Sequence, residues 1–290
     1  MLFESDFLRS LEKLELVVKK TLNTGLLGQH QSQDLGGGLE FSDYRQYQIG
    51  DDYRYIDWNL YSRLGQLFLK QFTEEREIIV YFLIDSSKSM AFGDPSKLDF
   101  AKKIAGALGY IALTQLDRVG AGFYSDDIDR EIKSGKGKDW VYKYFQFLNS
   151  GKAEGETDLN HALSMFSHKY KKPGLVVILS DFMDEKGYQK GLRQLKENNW
   201  RVFVIQTLAR EEMNPDLEGE LYLVDSETEQ GKEVVVNQET LSNYQQKLNE
   251  FCSNLSSFVG KYGIDYFRVS TEDNFENLIY ETLRREGGIR

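Results

Sequence analysis

The chain has 290 residues, 40% hydrophobic and 28% charged, with 46 acidic against 36 basic side chains and a formal net charge of −10. A chain of this size can bury a self-sufficient core, as one large α/β domain or as a domain with an appendage. The acidic balance, with no local basic stripe and no polybasic segment, excludes nucleic acid and a charged membrane surface and leaves a metal ion or a protein as the natural partner.

Cys252 is the single cysteine, so an internal disulfide is excluded and a reducing compartment is favoured. Met1-Leu-Phe-Glu-Ser-Asp does not read as a signal peptide, and the longest apolar run, Ile78 to Ile84, is too short to span a bilayer. The expected location is cytoplasmic, without a transmembrane anchor.

In chain order, Phe7, Leu11, Leu14, Val18 and Leu22 recur at helical spacing and predict a helix over 5–24. A glycine-rich loop follows over 25–38, then a polar-aromatic segment from Phe41 to Tyr61, and Gln66 to Phe72 alternates like a strand. In the polar-aromatic segment, rings are expected to pack on a sheet while Asp–Arg pairs satisfy buried polar ends. From Ile78 the pattern becomes strand and helix in alternation. Strands are expected over 78–84, 119–124, 128–132, 175–179, 202–207 and 264–269. Helices are expected over 97–116, 140–148, 158–170, 188–197, 240–261 and 274–285. Residues 221–224 and 233–236 read as a hairpin outside that alternation. Pro95, Pro173 and Pro215 all fall between these elements. Such alternation predicts an α/β fold, a mostly parallel central sheet flanked by helices, with an N-terminal helix and extended segment.

Open α/β sheets bind ligands at the carboxyl ends of their strands. Three loops should open on that edge: Asp85-Ser86-Ser87-Lys88-Ser89, Gly155-Glu156-Thr157, and Ser180-Asp181. Asp85, Ser87 and Ser89 alternate along an extended stretch, so their oxygens can face one point. Thr157 adds a hydroxyl and Asp181 a second carboxylate. This oxygen-only set suits a hard cation such as Mg²⁺, with Mn²⁺ as a substitute. Three neutral hydroxyls and two carboxylates neutralise the ion weakly, which leaves it electrophilic toward an incoming carboxylate.

Asp-Ser-Ser-Lys-Ser, followed by Gly-Glu-Thr-Asp and Leu-Ser-Asp, resembles the metal-ion-dependent adhesion site of von Willebrand factor A domains. The resemblance implies a von Willebrand A-like (Rossmann-like) domain over 77–290, with Asp85, Ser87, Ser89, Thr157 and Asp181 around the ion. A second resemblance lies upstream, in Gly38-Leu-Glu-Phe, Asp43-Tyr-Arg-Gln-Tyr and Gly50-Asp-Asp-Tyr-Arg-Tyr-Ile-Asp-Trp. These residues are similar to the signature of the bacterial domain of unknown function 58 family, which pairs such a segment with a von Willebrand A-like domain. Residues 1–76 are then a family-signature segment packed on the main domain. The resemblance implies an adaptor that works beside a MoxR-type AAA+ ATPase in assembling, remodelling or activating a protein complex. Many members of that family carry transmembrane helices near the N-terminus, and this chain lacks that pattern.

The expected protein is therefore a binding protein, not an enzyme, whose metal engages an acidic residue of a partner. The alternative is a Mg²⁺-dependent hydrolase or phosphotransferase. Against it, Ser87 occupies the place where haloacid-dehalogenase-type enzymes need a second aspartate, and hydroxyls supply no general acid or base. His161 falls one turn into its helix, where a lone histidine is usually a surface or packing residue. No Gly-x-x-x-x-Gly-Lys-[Ser/Thr] phosphate loop occurs in the chain.

Overall fold

The computed structural model describes residues 39–74, 78–115, 117–224, 231–275 and 277–279. The helix expected over 5–24 and the loop over 25–38 lie outside these residues, as does most of the helix expected over 274–285, of which 275 and 277–279 are helical. The chain divides into two compact units, Gly25–Glu77 being one and the residues from Ile78 onward belonging to the other.

In the smaller unit β1 (Leu39–Gln46) and β2 (Phe68–Glu74) pair antiparallel, with an irregularity between Phe41 and Asp43. Between them lie a 3₁₀ turn, Tyr53–Tyr55, and helix α1, Trp58–Leu64. Asp57 starts α1 by accepting the backbone N–H groups of Asn59 and Leu60, which have no partner within the helix. The same carboxylate accepts the Tyr44 hydroxyl at 2.9 Å and lies 3.2 Å from the Lys70 ammonium, so one buried side chain ties strand, helix and strand together. Asp–Arg pairs form as expected, between Asp51 and Arg45 and between Asp52 and Arg54, but they are not buried. Tyr53, Trp58 and Tyr61 are likewise exposed rather than packed as core.

The larger unit is a mixed α/β fold around a six-stranded, mostly parallel sheet. Its strands are β3 (Ile79–Asp85), β4 (Arg118–Tyr124), β5 (Ile128–Gly135), β6 (Leu175–Ser180), β7 (Arg201–Leu208) and β10 (Asp265–Ser270). They run in the order β10-β7-β6-β3-β4-β5, and only β5 is antiparallel to its neighbour. Strand β3 shows why the core strands read as unbroken apolar runs. Its successive side chains point to opposite faces, and both faces are covered. Val80, Phe82 and Ile84 enter the core beneath α2 (Lys97–Thr114) and α3 (Lys138–Asn149). Tyr81 and Leu83 enter the core on the other side, beneath α4 (Leu159–Lys169), α5 (Gln189–Glu197) and α6 (Gln238–Lys261).

Two helices show how local sequence sets packing. Ser96 caps α2 by accepting the N–H of Asp99. In the middle of α2, Gly109 leaves room for Tyr144, whose ring would lie 2.5 Å from a β-carbon there and whose hydroxyl donates to the Ala105 carbonyl at 2.8 Å. The hairpin expected outside the alternation is present as β8 (Gly219–Val224) and β9 (Gly231–Val236), a separate antiparallel pair. Among the described residues no helix is long and apolar enough to cross a membrane.

Candidate metal centre

Chain order first runs outward from β3 to β4 and β5, then returns to the other side of β3 with β6. Strand order therefore reverses at the seam between β3 and β6, the place where open α/β sheets form a ligand crevice between the loops leaving adjacent strands. Ile84 pairs with Leu179 in that seam, which puts the next residues, Asp85 and Ser180, side by side at the carboxyl edge. The Ser180 hydroxyl donates to Asp85 Oδ2 at 2.6 Å, and the Ser87 N–H donates to Asp85 Oδ1 at 2.9 Å. Asp85 is fully buried, as is Ser87.

From there a chain of hydroxyls crosses the crevice. Ser87 Oγ and Ser89 Oγ are 3.1 Å apart, and Ser89 Oγ donates to Asp181 Oδ2 at 3.0 Å. Asp181 is buried, and its other oxygen, Oδ1, accepts the N–H of Met183. The third loop lies alongside. Lys88 N–H donates to the Gly155 carbonyl at 3.0 Å, Glu154 N–H to the Ser86 carbonyl at 2.7 Å, and Asp158 N–H to the Ser125 carbonyl at 2.9 Å. Gly155 adopts φ +86° there, and a β-carbon on it would meet Ser125 Oγ at 2.9 Å, so glycine suits both the turn and the close approach. Half-buried Thr157 sits two residues on, just before Asp158, the cap of α4. Four of the expected residues, Asp85, Ser87, Ser89 and Asp181, thus meet at one crevice, and the Thr157 loop is bonded to its rim.

Two buried carboxylates, Asp85 and Asp181, set the electrostatics of the crevice. Burial, and then the charge of Asp181, push the Asp85 carboxyl well above the usual carboxylate range, against hydrogen bonds from Ser180 and Ser87. The Tyr124 phenol is also shifted upward, by burial first and then by the charge of Asp85. Its hydroxyl is buried and has no hydrogen-bond partner among the described residues.

A cation that the sequence does not announce is already present. Lys97, the first residue of α2, is 1% exposed, and its ammonium lies 2.7 Å from Asp181 Oδ2 and 2.5 Å from Glu212 Oε1. Burial alone would lower its pKa, but the charges of Asp181 and Glu212 outweigh it and raise it. Glu212 belongs to the single helical turn Arg210–Met213 after β7, and its other oxygen accepts the Ala209 N–H at 2.8 Å. Among the described residues no group of three or more His, Cys, Asp or Glu side chains is arranged to hold a metal, so any ion here relies on hydroxyls as well as carboxylates. His161 is exposed, and its N–H donates to Asp158 Oδ1 at 2.9 Å in the cap of α4.

A family profile described as "Protein of unknown function DUF58" matches residues 43–250. The chain belongs to this family. Two uncharacterized proteins, from Mycobacterium tuberculosis and Mycobacterium bovis, are each 27% identical over 225 residues, 76% of this chain and 70% of theirs. Among solved structures, the conserved hypothetical protein BatB from Bacteroides thetaiotaomicron aligns at a TM-score of 0.44 and 16% identity, over 72% of this chain and 98% of that one. The pilus adhesin SpaC from Lactobacillus rhamnosus GG aligns at 0.43 and 11%, over 74% of this chain and 30% of that one.

Within this DUF58 chain, sequence reasoning places Ser180 at this edge but gives it no role, and it misses Lys97, Glu212 and Tyr124 as neighbours of the crevice. Ser180 carried a signal, since it precedes Asp181 at the end of an apolar strand. Lys97 and Glu212 carried none, because a lysine and a glutamate 115 residues apart read as ordinary surface charge.

Proposed function

We propose that the larger unit is a von Willebrand factor A-like domain that holds one Mg²⁺, or Mn²⁺, and uses it to grip an acidic residue of a protein partner. Asp85, Ser87, Ser89, Thr157 and Asp181 would hold the ion. The observation that carries this reading is the hydroxyl chain from Ser87 through Ser89 to Asp181, lying beside buried Asp85 at the point where strand order reverses. Strand order, with five parallel strands and an antiparallel edge, supports the fold assignment.

The residues present fit a hard divalent ion. Every candidate donor is an oxygen, as Mg²⁺ and Mn²⁺ prefer. Asp85 is raised by burial first and then by the charge of Asp181, and a cation bound between the two carboxylates would offset both. The orphaned Tyr124 hydroxyl leaves a donor for ordered water, which Mg²⁺ usually retains. Bound there, the ion supplies an electrophilic position for a carboxylate. The chain's own groups hold it: Ser180 orients Asp85, Met183 N–H orients Asp181, and the two serines face the space between the carboxylates.

The role is binding rather than catalysis. The family resemblance supplies the second half of the reading, a MoxR-type AAA+ ATPase acting with this adaptor on a protein complex. The test is pull-down with the purified full chain, run with Mg²⁺ and with chelator, against the MoxR-type ATPase of the same cell and its associated proteins. Mg²⁺-dependent capture that Asp85→Ala abolishes is the expected result. Capture indifferent to both chelator and Asp85→Ala would refute the metal grip.

A further inference from the structure

The Lys97 ammonium and the Ser89 hydroxyl share one acceptor, Asp181 Oδ2, at 2.7 and 3.0 Å. An ion held by Ser89 and Asp181 would therefore arrive against a like charge in a buried setting, where such charges repel strongly. Lys97 has a second seat ready. Glu212 Oε1 already lies 2.5 Å from its nitrogen, and Glu212 is held independently of the lysine, through Oε2 and the Ala209 N–H. An ammonium has three donors and can redistribute them between two carboxylates without leaving its pocket.

We propose that Lys97 is a resident cation of the centre, which neutralises Asp181 while no metal is bound and transfers to Glu212 when a divalent ion takes Asp181. This rests on the metal reading above and extends it, because it makes metal affinity a property of a residue outside the ligand set. The lysine competes with the metal, so the affinity is lower than the same oxygens would give alone. Glu212 sets the strength of the competition by offering the lysine another place. A residue that merely held Asp181 in position would act the other way, since its removal would loosen a ligand and weaken the metal.

The experiment is direct Mn²⁺ binding to the full chain, read from the electron paramagnetic resonance signal of free Mn²⁺, for wild type, Glu212→Gln and Lys97→Met/Glu212→Gln. Glu212→Gln keeps the bond to Ala209 but removes the lysine's second charged seat, so Mn²⁺ should bind severalfold more weakly. The double variant removes the competitor together with one carboxylate, and Mn²⁺ should bind at least about tenfold more tightly than in wild type. Binding by the double variant alone would also support the competition. Wild-type binding with a double variant that is no tighter would overturn the role of Lys97 and leave the metal reading standing. No binding by any of the three would overturn both. Should the double variant fail to fold, Glu212→Gln decides: weaker binding supports the competition, and equal or tighter binding overturns it.

Discussion

Ser180 donates to Asp85 Oδ2 at 2.6 Å while its own oxygen accepts the N–H of Phe182 at 2.9 Å. One hydroxyl thus joins the ends of β3 and β6 and holds a turn in which Phe182 adopts φ 62°, a left-handed conformation uncommon for a bulky residue. Ser180→Ala leaves both Asp85 Oδ2 and the Phe182 N–H short of a buried partner. The expected loss of stability is about 1–3 kcal/mol, read from the denaturant midpoint at unchanged slope. A loss near zero would show that the bond does not support the turn.

Metal should stabilise the folded chain. Binding to the native state alone adds about 2.7 kcal/mol when the free ion exceeds Kd a hundredfold. Thermal melts with Mg²⁺, Mn²⁺ and chelator check this, and Asp85→Ala should abolish the shift. A wild-type melt indifferent to all three additions would count against the centre.

Strand β3 is legible in the sequence because a strand covered on both faces has to be apolar throughout, and Val80 to Ile84 leave no other reading. The edge of the sheet is legible too, since Asp85 follows such a run directly and Asp181 follows another after Ser180. What the sequence hides is pairing over distance. Lys97 reads as the start of a helix after Ser96, and nothing local shows that its ammonium is buried between residues from the loops after β6 and β7. The aromatic segment misleads for a related reason. Its density suggests core, yet Tyr53, Trp58 and Tyr61 are exposed and the buried anchor is a carboxylate, Asp57.

Asp57 gives a pH dependence. The N–H of Leu60, then the Tyr44 hydroxyl and Lys70, hold its carboxyl at about 2, below the ordinary 3.8. A carboxyl depressed in the folded state contributes its stability in full above the unfolded value and loses it as pH falls through the folded one. The order of α1 and its strands should therefore weaken between about pH 4 and pH 2. Asp57→Asn still accepts the helix N–H groups but does not titrate, so its acid limb should be flatter in that window. The Trp58 indole N–H resonance, followed by NMR from pH 5 to pH 2, reads the change locally. Superimposable acid limbs in the two proteins would show that Asp57 is not the titrating anchor.

Thr157 separates a metal that grips from one that only staples loops. It lies in the loop bonded to Ser86, Lys88 and Ser125, and that bonding uses backbone groups that a side-chain change leaves intact. Thr157→Val keeps nearly the same shape and removes one oxygen. The chain should stay folded, with a melt in chelator close to wild type, while Mg²⁺ affinity falls. If a partner carboxylate completes the ion's coordination, the complex should weaken by about 2–5 kcal/mol, the range seen when one member of a desolvated charged pair is removed. Titration calorimetry against the captured partner measures this, with Mg²⁺ and with chelator. Replacing the partner's own acidic residue by its amide should cost the same, and combining the two changes should cost little more, because both remove one interaction. A Thr157→Val protein that is folded, binds no metal and still holds its partner at full strength would mean that the ion has no part in the grip.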